Sequence, residues 1–413
     1  MPPSLPHPTD QCDTLIIGGS MAGLSAAVHT PRGRKVILLE KNAVCGRKLL
    51  VTGGGQCNCS HRGTAEELAR HYGGKDRFVL PALYAFGPDS LVRSLSAAGV
   101  AVETRSDGKI FPRSKQSRHV RDALGALARK RGVRMITSAP VLSCRVSEDG
   151  NFLVLASGIV YRSKRLILAV GGKAFPQSGS TGDGFIWARD FGHTIVEPTP
   201  ALTAVETDPF PYTACAGISL LSPIIEHKRG SEKVGTFSGE VLWTHRGLSG
   251  PAILDASRNI LPGDRLFLSL TEEGTAEKTE QRLLALCKKS PGRRVSALVA
   301  ALGVPQRLAA CMFQTYALRD PAASGLTRAE RRRLVELLVR FPFTVTRLAG
   351  WHKAMTTAGG VALGEVNRKT MQSRLIPGLF FAGELLDVDG DCGGYNLQWA
   401  WSSGALAAES AAP

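Results

Sequence analysis

Near its start the chain places a short apolar run before a glycine-rich turn and an alanine-rich segment. Leu15–Ile17 has the pattern of a buried strand, and helical spacing of apolar residues follows the turn Gly18–Gly23. A second apolar run, Val36–Leu39, ends at Glu40. A strand, a glycine turn, a helix and a second strand in this order predict the first βαβ unit of a parallel sheet.

Further along, apolar spacing switches between the helical and the strand period. Helices are predicted at Leu91–Val100, Val120–Arg131 and Leu397–Ala408, and strands at Val141–Val146, Phe152–Ala156, Ile159–Tyr161, Arg165–Val170 and Leu379–Ala382. After residue 197, short strand-like runs broken by Pro and Gly give way to a helical, basic stretch. We therefore predict an α/β fold with three parts: a Rossmann-like domain at 1–197 and 350–413, a β-rich domain at 198–275 and 341–349, and a basic helical insertion at 276–340.

The turn after the first strand has the chemistry of a dinucleotide-binding loop. Gly18 makes the turn, Ser20 stands where backbone approaches a pyrophosphate, and Gly23 lets the helix pack on the strand. The helix N-terminus adds N–H groups and positive dipole for phosphates. Glu40 ends the next strand, where an acidic side chain accepts hydrogen bonds from a ribose 2′-OH. Plain strand-to-helix connections use similar glycines, but Glu40 in register favours a dinucleotide.

Length and composition exclude several classes of protein. At 413 residues the chain is too long for one ordinary core, which favours two or three domains. Residues 1–12 contain prolines and no apolar stretch, so we predict neither a secretory signal nor a membrane span there or elsewhere. Nine cysteines without a CxxC motif indicate reduced thiols. The histidines lack metal-ligand spacing, so no metal is predicted, and we expect a cytoplasmic protein without a stable protein partner.

The formal net charge of +16 is concentrated in two segments. Residues 109–134 hold nine basic side chains against one acidic, and residues 278–340 hold thirteen against four. Charge runs usually form solvated helix faces, but two concentrated patches on an otherwise neutral chain favour a polyanionic partner. We therefore predict that RNA binds these patches, through Arg113, Lys115, Arg118 and Arg121 in the first and Arg331, Arg332 and Arg333 in the second.

Several glycine-rich motifs carry a resemblance to a known family. They read GRK at 46–48, TGGGQCN at 52–58, GGK at 171–173, GSTGDG at 179–184, THRGLSGP at 244–251, TAGGV at 357–361 and FAGELLDVDGDCGGYNLQWAWSSG at 381–404. Together they resemble the YhiN/BaiN family of FAD-dependent flavoproteins, over nearly the whole chain. The resemblance implies a Rossmann-like FAD-binding domain with an inserted β-barrel-like domain and a helical domain. Family members usually have Gly and Arg where this chain has Ser20 and Gln56.

FAD is accordingly the predicted cofactor, held by residues from both ends of the chain. Gly53–Gly55 offers backbone beside a ring system, although a tight structural turn is the alternative. Glu384 is placed to bond the ribityl chain, and the start of the last predicted helix can bind the flavin C2 carbonyl. The predicted FAD set is Gly18, Ser20, Met21, Ala22, Gly23, Glu40, Lys41, Gly46, Lys48, Gly53, Gly54, Gly55, Asn58, Gly171, Gly172, Thr181, Gly182, Gly383, Glu384, Asp391, Gly393, Gly394, Tyr395, Asn396 and Leu397.

The resemblance allows three flavin reactions: reduction of a uridine of large-subunit (23S) ribosomal RNA to dihydrouridine, reduction of conjugated steroid-like substrates, or oxidation of small amines of the aminoacetone type. Concentrated positive charge favours the uridine, because a small substrate gains nothing from it. NADH or NADPH is the expected reductant. Hydride passes to C6 of an unstacked uracil and an acid protonates C5, with Cys57 or Cys392 as the predicted donor and Asn58 beside the reacting ring. Cys392 as a plain turn residue, and a non-enzymatic FAD-containing RNA-binding or assembly factor, stay open as alternatives.

Overall fold

The structure is a computed structural model that describes residues 10–412. Residues 1–9, most of the stretch predicted to be neither a secretory signal nor a membrane span, lie outside the described residues. The chain divides into two units, one made of Met1–Ala201 with Met355–Pro413 and the other of Leu202–Ala354. Within residues 10–412, no helix combines the length and the hydropathy that crossing a membrane requires.

The strands and helices are numbered here in chain order. The strands are β1 Asp10–Ile17, β2 Val36–Leu39, β3 Ser60–His61, β4 Val102–Thr104, β5 Lys109–Pro112, β6 Arg134–Ile136, β7 Val141–Val146, β8 Phe152–Ala156, β9 Ile159–Leu168, β10 Ile195–Ala201, β11 Val205–Glu206, β12 Ser219–Leu220, β13 Ile224–Arg229, β14 Glu232–Ser238, β15 Val241–Trp243, β16 Gly247–Ser249, β17 Arg265–Leu268, β18 Phe341–Thr344, β19 Arg347–Leu348, β20 Thr356–Val361 and β21 Leu379–Phe381. The helices are α1 Met21–His29, α2 Ala65–Ala69, α3 Asp76–Ala85, α4 Pro88–Ala97, α5 Ser117–Lys130, α6 Asp183–Asp190, α7 Pro251–Ala256, α8 Ala276–Lys289, α9 Val295–Ala301, α10 Gln306–Thr315, α11 Arg328–Val339 and α12 Tyr395–Ser410.

The first unit is built on a sheet with the strand order β6-β2-β1-β9-β8-β7, in which β21 also pairs with β9. The strands β1, β2, β6, β9 and β21 are parallel, whereas β7 and β8 run antiparallel to their neighbours. All four residues of β2 and every residue of Met21–Val28 in α1 are buried, because helices cover the central strands. The predicted βαβ unit and the α/β class with a Rossmann-type parallel sheet are confirmed.

The strand β9 differs from its prediction. The sequence indicates two separate strands, Ile159–Tyr161 and Arg165–Val170, because polar residues interrupt the apolar run. In the structure one continuous strand crosses this interruption, since Ser163 pairs with Cys12 of β1 on one side and with Phe152 of β8 on the other. A buried serine in a central strand therefore continues the ladder although it breaks the apolar pattern.

Close backbone approaches fix the helices around the first turn. A Cβ atom on Gly23 would lie 1.8 Å from the Gly18 carbonyl oxygen, and one on Gly404 would lie 2.2 Å from the Ala22 carbonyl oxygen. Neither position accepts a side chain, so α1 packs directly on the turn and α12 packs directly on α1. The two ends of the chain are thereby held together beneath the carboxyl end of β1.

The second unit has two antiparallel sheets, ordered β12-β15-β16-β11-β19 and β14-β13-β17-β18. Helices α8 to α11 pack with these strands around one hydrophobic core, in which Leu266 of β17 lies with Leu283, Leu308 and Leu334 of the helices. The separation of this region into a β-rich domain and a basic helical insertion stays a prediction.

Candidate functional site

A groove of about 680 Å³ opens in the first unit at the carboxyl ends of β1, β2 and β9. Ligands of open α/β sheets bind in the crevice at this end of the strands. Predicted residues that line the groove are Gly18, Ser20, Glu40, Lys41, Lys48, Thr181 and Gly182. Sequence reasoning missed the lining residues Asn42, Ser178 and Asp183, because none of them stands at a position that the dinucleotide pattern specifies.

Glu40 ties the glycine turn to the end of β2. Its Oε2 atom accepts a hydrogen bond of 2.7 Å from the Gly19 N–H, and its Oε1 atom accepts from the backbone N–H and the side-chain amide of Asn42 at 2.8 and 2.7 Å. A carboxylate offers about four acceptor positions, so one remains for a ribose hydroxyl. Ser20 precedes α1 without capping it through its side chain, which leaves N–H groups of the first helical turn for a ligand.

Lys41 connects β2 to the loop that forms the opposite wall of the groove. Its ammonium group donates to Thr181 Oγ1 at 2.6 Å and to Asp183 Oδ2 at 2.9 Å. Burial by itself raises the pKa of Asp183, but the hydrogen bonds from Lys41 and Thr181 outweigh it and the pKa is lowered. The Asp183 carboxylate therefore stays charged at neutral pH, and its bond to Lys41 holds the wall in place.

Glu384 is the centre of a second network, which joins distant parts of the chain. Its Oε2 atom accepts a hydrogen bond of 2.7 Å from Lys48 Nζ, and its Oε1 atom accepts from the hydroxyl and N–H of Thr357 at 2.8 and 3.1 Å. A Cβ atom on Gly172 would lie 2.3 Å from Thr357 Oγ1. Because the loop that follows β9 passes this close to Thr357, only glycine fits at position 172.

The turn Gly53–Gly55 leaves open space for a flat group. All three glycines have left-handed backbone, with φ of 56°, 65° and 86°. A Cβ atom on Gly54 would meet no heavy atom within 4 Å, so the backbone borders a free surface. Asn58 lies just beyond, and its Oδ1 atom is buried without a hydrogen-bond partner among the described residues. A buried acceptor without a donor costs free energy unless a ligand supplies one.

The predicted proton donors differ in their surroundings. Cys57 is fully buried, and burial raises the pKa of its thiol to about 12. This environment makes Cys57 a poor proton donor near neutral pH. Cys392 is only partly buried. Its assignment as the donor stays a prediction.

The turn before α12 is held by its own side chains. Asn396 accepts a hydrogen bond from the Gly390 N–H at 2.9 Å and donates to the Gly390 carbonyl at 2.8 Å. Gly394 has φ of 100°, and a Cβ atom there would lie 2.4 Å from the Ser60 carbonyl oxygen and 2.9 Å from Asn58 Oδ1. The unpartnered amide oxygen of Asn58 therefore lies beside the N-terminus of α12.

The other members of the predicted FAD set pack around these networks. Met21 and Ala22 are buried in α1. A Cβ atom on Gly46 would lie 2.7 Å from Arg121 Cγ, and one on Gly383 would lie 2.9 Å from Ala22 Cβ. Contact of the whole set with a cofactor stays a prediction, and this also holds for Gly171, Asp391, Gly393, Tyr395 and Leu397.

The basic residues predicted to bind RNA fall into two groups by exposure. Arg113, Lys115 and Arg118 are exposed at and before the start of α5, whereas Arg121 is half-buried and lies 2.6 Å from Asp122. In the second unit, Arg332 and Arg333 are exposed, whereas Arg331 is half-buried in an ion pair of 2.7 Å with Glu280. Arg331 therefore joins α11 to α8.

Across residues 10–412, no three His, Cys, Asp or Glu side chains converge on a metal position.

Comparison with known proteins identifies the family. Residues 12–410 match the model of the HI0933-like protein Rossmann domain. The chain belongs to this family, whose members are FAD-dependent oxidoreductases. The resemblance drawn from the glycine-rich motifs is thereby confirmed.

Two relatives of this HI0933-like protein carry different names. The 3-dehydro-bile acid delta(4,6)-reductase of Clostridium scindens is 31% identical over 407 residues, which cover 96% of this chain and 98% of the relative. The ribosomal RNA dihydrouridine synthase of Haemophilus influenzae is 29% identical over 399 residues, which cover 95% of this chain and 96% of the relative. Similarity over the full length of both relatives leaves both reactions to be considered.

Among solved structures, the 3-ketosteroid delta1-dehydrogenase of Sterolibacterium denitrificans superimposes with a TM-score of 0.52. The similarity covers 98% of this chain and 100% of that protein, at 14% sequence identity. At this identity the comparison shows a shared fold and no shared substrate.

Proposed function

We propose that this protein is an FAD-dependent reductase of a carbon–carbon double bond, and that its substrate is a uridine of 23S ribosomal RNA. The observation that carries the choice of RNA is the exposed positive charge of Arg113, Lys115 and Arg118, which stands apart from the groove. Such charge raises the affinity for an RNA phosphate backbone, whereas a small substrate does not need it. The ribosomal RNA dihydrouridine synthase among the relatives supports the same reading.

The residues of the first unit fit FAD. The groove at Gly18 and Glu40 suits the adenosine diphosphate part, because Gly18 and Gly19 carry no side chains and Glu40 retains an acceptor position. The flavin ring, called here the ring end of FAD, fits near Gly54 and Gly394. At this place the Asn58 Oδ1 atom is buried without a hydrogen-bond donor among the described residues. An amide N–H of a flavin ring is such a donor. When bound, FAD supplies the hydride for the reduction.

The side chains of the protein have three further tasks in this reaction. Lys48, which lines the groove, and Thr357 orient the Glu384 carboxylate. The buried Asn58 amide oxygen offers an acceptor at the ring end. A proton-donating group must protonate the second carbon of the double bond, because each hydride gained requires one proton.

A second candidate reaction is the reduction of a small conjugated ketone. The 31% identity with a bile acid reductase over almost the whole chain favours it. In that reaction the substrate uses the same groove and ring end, and the exposed charges of Arg113, Lys115 and Arg118 have no role. The two proposals thus differ in whether substrate recognition depends on surface charge.

A direct comparison of the two substrates tests the proposal. Purified protein loaded with FAD is given NADH or NADPH, or chemical reductant if neither is oxidised. It is then offered either a 23S ribosomal RNA fragment or a bile-acid-type 4-en-3-one. Mass spectrometry of nucleosides detects dihydrouridine, and absorbance detects loss of the enone. Dihydrouridine formation without enone loss supports the RNA reaction, the reverse result supports the small substrate, and turnover of neither contradicts both.

A further inference from the structure

A second cavity in the first unit lies beside a stack of three rings. Tyr395, the first residue of α12, stacks with His71 at a centroid distance of 4.1 Å and with His61 at 5.0 Å. All three side chains line a cavity of about 800 Å³. Tyr395 and Asp391 belong to the predicted FAD set, so the cavity adjoins the turn proposed to hold the ring end.

His71 is held by Asp391 through two contacts across 320 positions of sequence. Its Nδ1 atom lies 2.9 Å from Asp391 Oδ2, and its carbonyl oxygen accepts a hydrogen bond of 3.0 Å from the Asp391 N–H. A carboxylate on one ring nitrogen fixes the tautomer and the orientation of the imidazole ring. Within residues 10–412, the Nε2 atom of His71 makes no hydrogen bond, so it is open to the cavity that the ring lines.

His61 provides a contrast in the same stack. Its Nδ1 atom lies 2.7 Å from the Arg62 carbonyl oxygen and its Nε2 atom lies 2.9 Å from the Asp107 carbonyl oxygen. Both ring nitrogens of His61 are therefore engaged by backbone. Two histidines thus line one cavity and stack on one tyrosine, but only His71 has a ring nitrogen available for a ligand.

The remaining ionisable groups around the cavity are Arg62, Glu67 and Asp107. Glu67 accepts the Thr64 N–H at 2.8 Å, and Asp107 accepts a hydrogen bond of 2.7 Å from Lys109 Nζ. Both carboxylates are thus occupied by local partners. Arg62 carries a guanidinium group, which donates hydrogen bonds but is a poor general acid.

We propose that His71, oriented by Asp391, donates the proton in the reduction. The inference rests on the proposed function, which supplies the hydride from reduced FAD. As one carbon of the double bond gains that hydride, the Nε2–H bond of the His71 imidazolium breaks and a C–H bond forms at the other carbon. The electron pair of the N–H bond stays on Nε2, and the neutral imidazole regains a proton from solvent through the open cavity. This role is an alternative to Cys392, the thiol donor that stays a prediction from sequence.

Kinetics of matched variants test the role. His71→Gln is expected to lower kcat by about 100-fold, the usual minimum for loss of a general acid, without releasing FAD. His61→Gln removes the other stacked imidazole and is expected to change kcat less than threefold. Asp391→Asn keeps the His71 ring but removes the carboxylate that orients it. It should therefore lower kcat while KM stays close to that of the wild type.

Chemical modification gives a readout that does not depend on turnover. Diethyl pyrocarbonate reacts with an accessible, unprotonated imidazole nitrogen, and peptide mass spectrometry separates His61 from His71 because Arg62 and Arg70 lie between them. His71 should be modified and His61 should resist in the full-length protein. Addition of a uridine oligonucleotide, or of the enone if that is the substrate, should protect His71.

The outcomes separate the two proposals. If the wild type reduces one of the substrates but His71→Gln keeps its kcat and its pH profile, His71 is not the donor and the proposed function stands. If diethyl pyrocarbonate modifies His71 at the same rate with and without substrate, the conclusion is again that His71 is not the donor. If the wild type reduces neither substrate, the proposed function fails and this inference fails with it.

Discussion

Lys48 donates a hydrogen bond of 2.7 Å to Glu384, although 336 positions of sequence separate the two residues. Both side chains are largely buried, with 18% and 19% of their surfaces exposed. The pair fixes the turn that precedes Gly53–Gly55 to the loop that follows β21. The candidate site therefore depends on a contact between the two ends of the chain.

Replacement of Lys48 by Met should destabilise this site. The change leaves the Glu384 carboxylate without its cation, and a hydrogen bond between charged groups contributes about 1.5–3 kcal/mol. We expect a lower urea midpoint and faster loss of FAD on dilution. Lys35→Met is the matched control, since Lys35 pairs with Asp10 at 3.2 Å while 59% exposed, and exposed pairs contribute under about 1 kcal/mol. Equal effects of both variants would contradict a special role for Lys48.

Replacement of Glu40 by Ala should weaken FAD binding at least about tenfold. The variant loses the bonds to the Gly19 N–H and to Asn42 as well as the acceptor proposed for the ribose. Bound flavin is measured by absorbance after gel filtration, and the flavin released by denaturation should be FAD and not FMN. Glu148→Ala, on an exposed turn, serves as the control. Unchanged FAD retention in Glu40→Ala would show that the groove does not hold the adenosine part.

Local pattern was sufficient to predict much of the groove. Gly18 and Glu40 are separated by one βαβ unit, so the period of the apolar residues fixes where both lie. The sequence motifs also placed Lys48 and Glu384 in one site through family resemblance. Their direct contact was not predictable from spacing, because it depends on how β21 and α12 return to β9 and α1.

The role proposed for His71 could not be predicted from the sequence. Its neighbours in sequence contain no partner for its ring, and Asp391 lies 320 positions away. A scattered histidine is usually a surface or core residue, so the sequence favoured cysteines as proton donors. Only the tertiary structure shows that Cys57 is sealed from solvent whereas His71 lines a cavity.

The buried Asp264 in the second unit should make stability depend on acid pH. Burial alone raises the pKa of Asp264, but Arg229, the Leu261 N–H and His227 outweigh it, so the pKa falls from 3.8 to about 2. A lowered pKa stabilises the fold above 3.8, and this stability is lost as pH falls through 2. The loss should amount to about 2 kcal/mol in the free energy of unfolding.

Urea unfolding of the full chain at pH 7, 4 and 2.5 measures this loss. Asp264→Asn leaves Arg229 and His227 without their carboxylate, and loss of a hydrogen bond to a charged group costs about 1.5–3 kcal/mol. Asp208→Asn is the control, because Asp208 is exposed and lies 3.9 Å from Arg347. A wild type and an Asp264→Asn variant with equal stability at pH 7 would rule out this role of Asp264.

The exposed basic residues at and before the start of α5 are called here the α5 patch. Neutralising their charges should weaken RNA binding in a salt-dependent manner. Arg113, Lys115 and Arg118 are the exposed members, and their combined replacement by Gln removes three positive charges without touching the groove. Each lost phosphate contact lowers the slope of log affinity against log salt by about 0.7 for single-stranded RNA, so three contacts lower it by about 2. Filter binding of a 23S RNA fragment between low and physiological salt measures the slope.

The control for this variant is Arg331→Gln, which removes one positive charge from a residue already paired with Glu280. It should lower the unfolding midpoint through loss of the contact between α8 and α11, while the salt slope for RNA stays close to that of the wild type. FAD content and reduction of a small enone should be unchanged in the α5 variant, because both depend on the groove and the ring end alone. If the α5 variant binds RNA with the wild-type slope, these residues do not contact phosphate. Absence of salt-dependent RNA binding in the wild type would instead make the small conjugated ketone the better substrate.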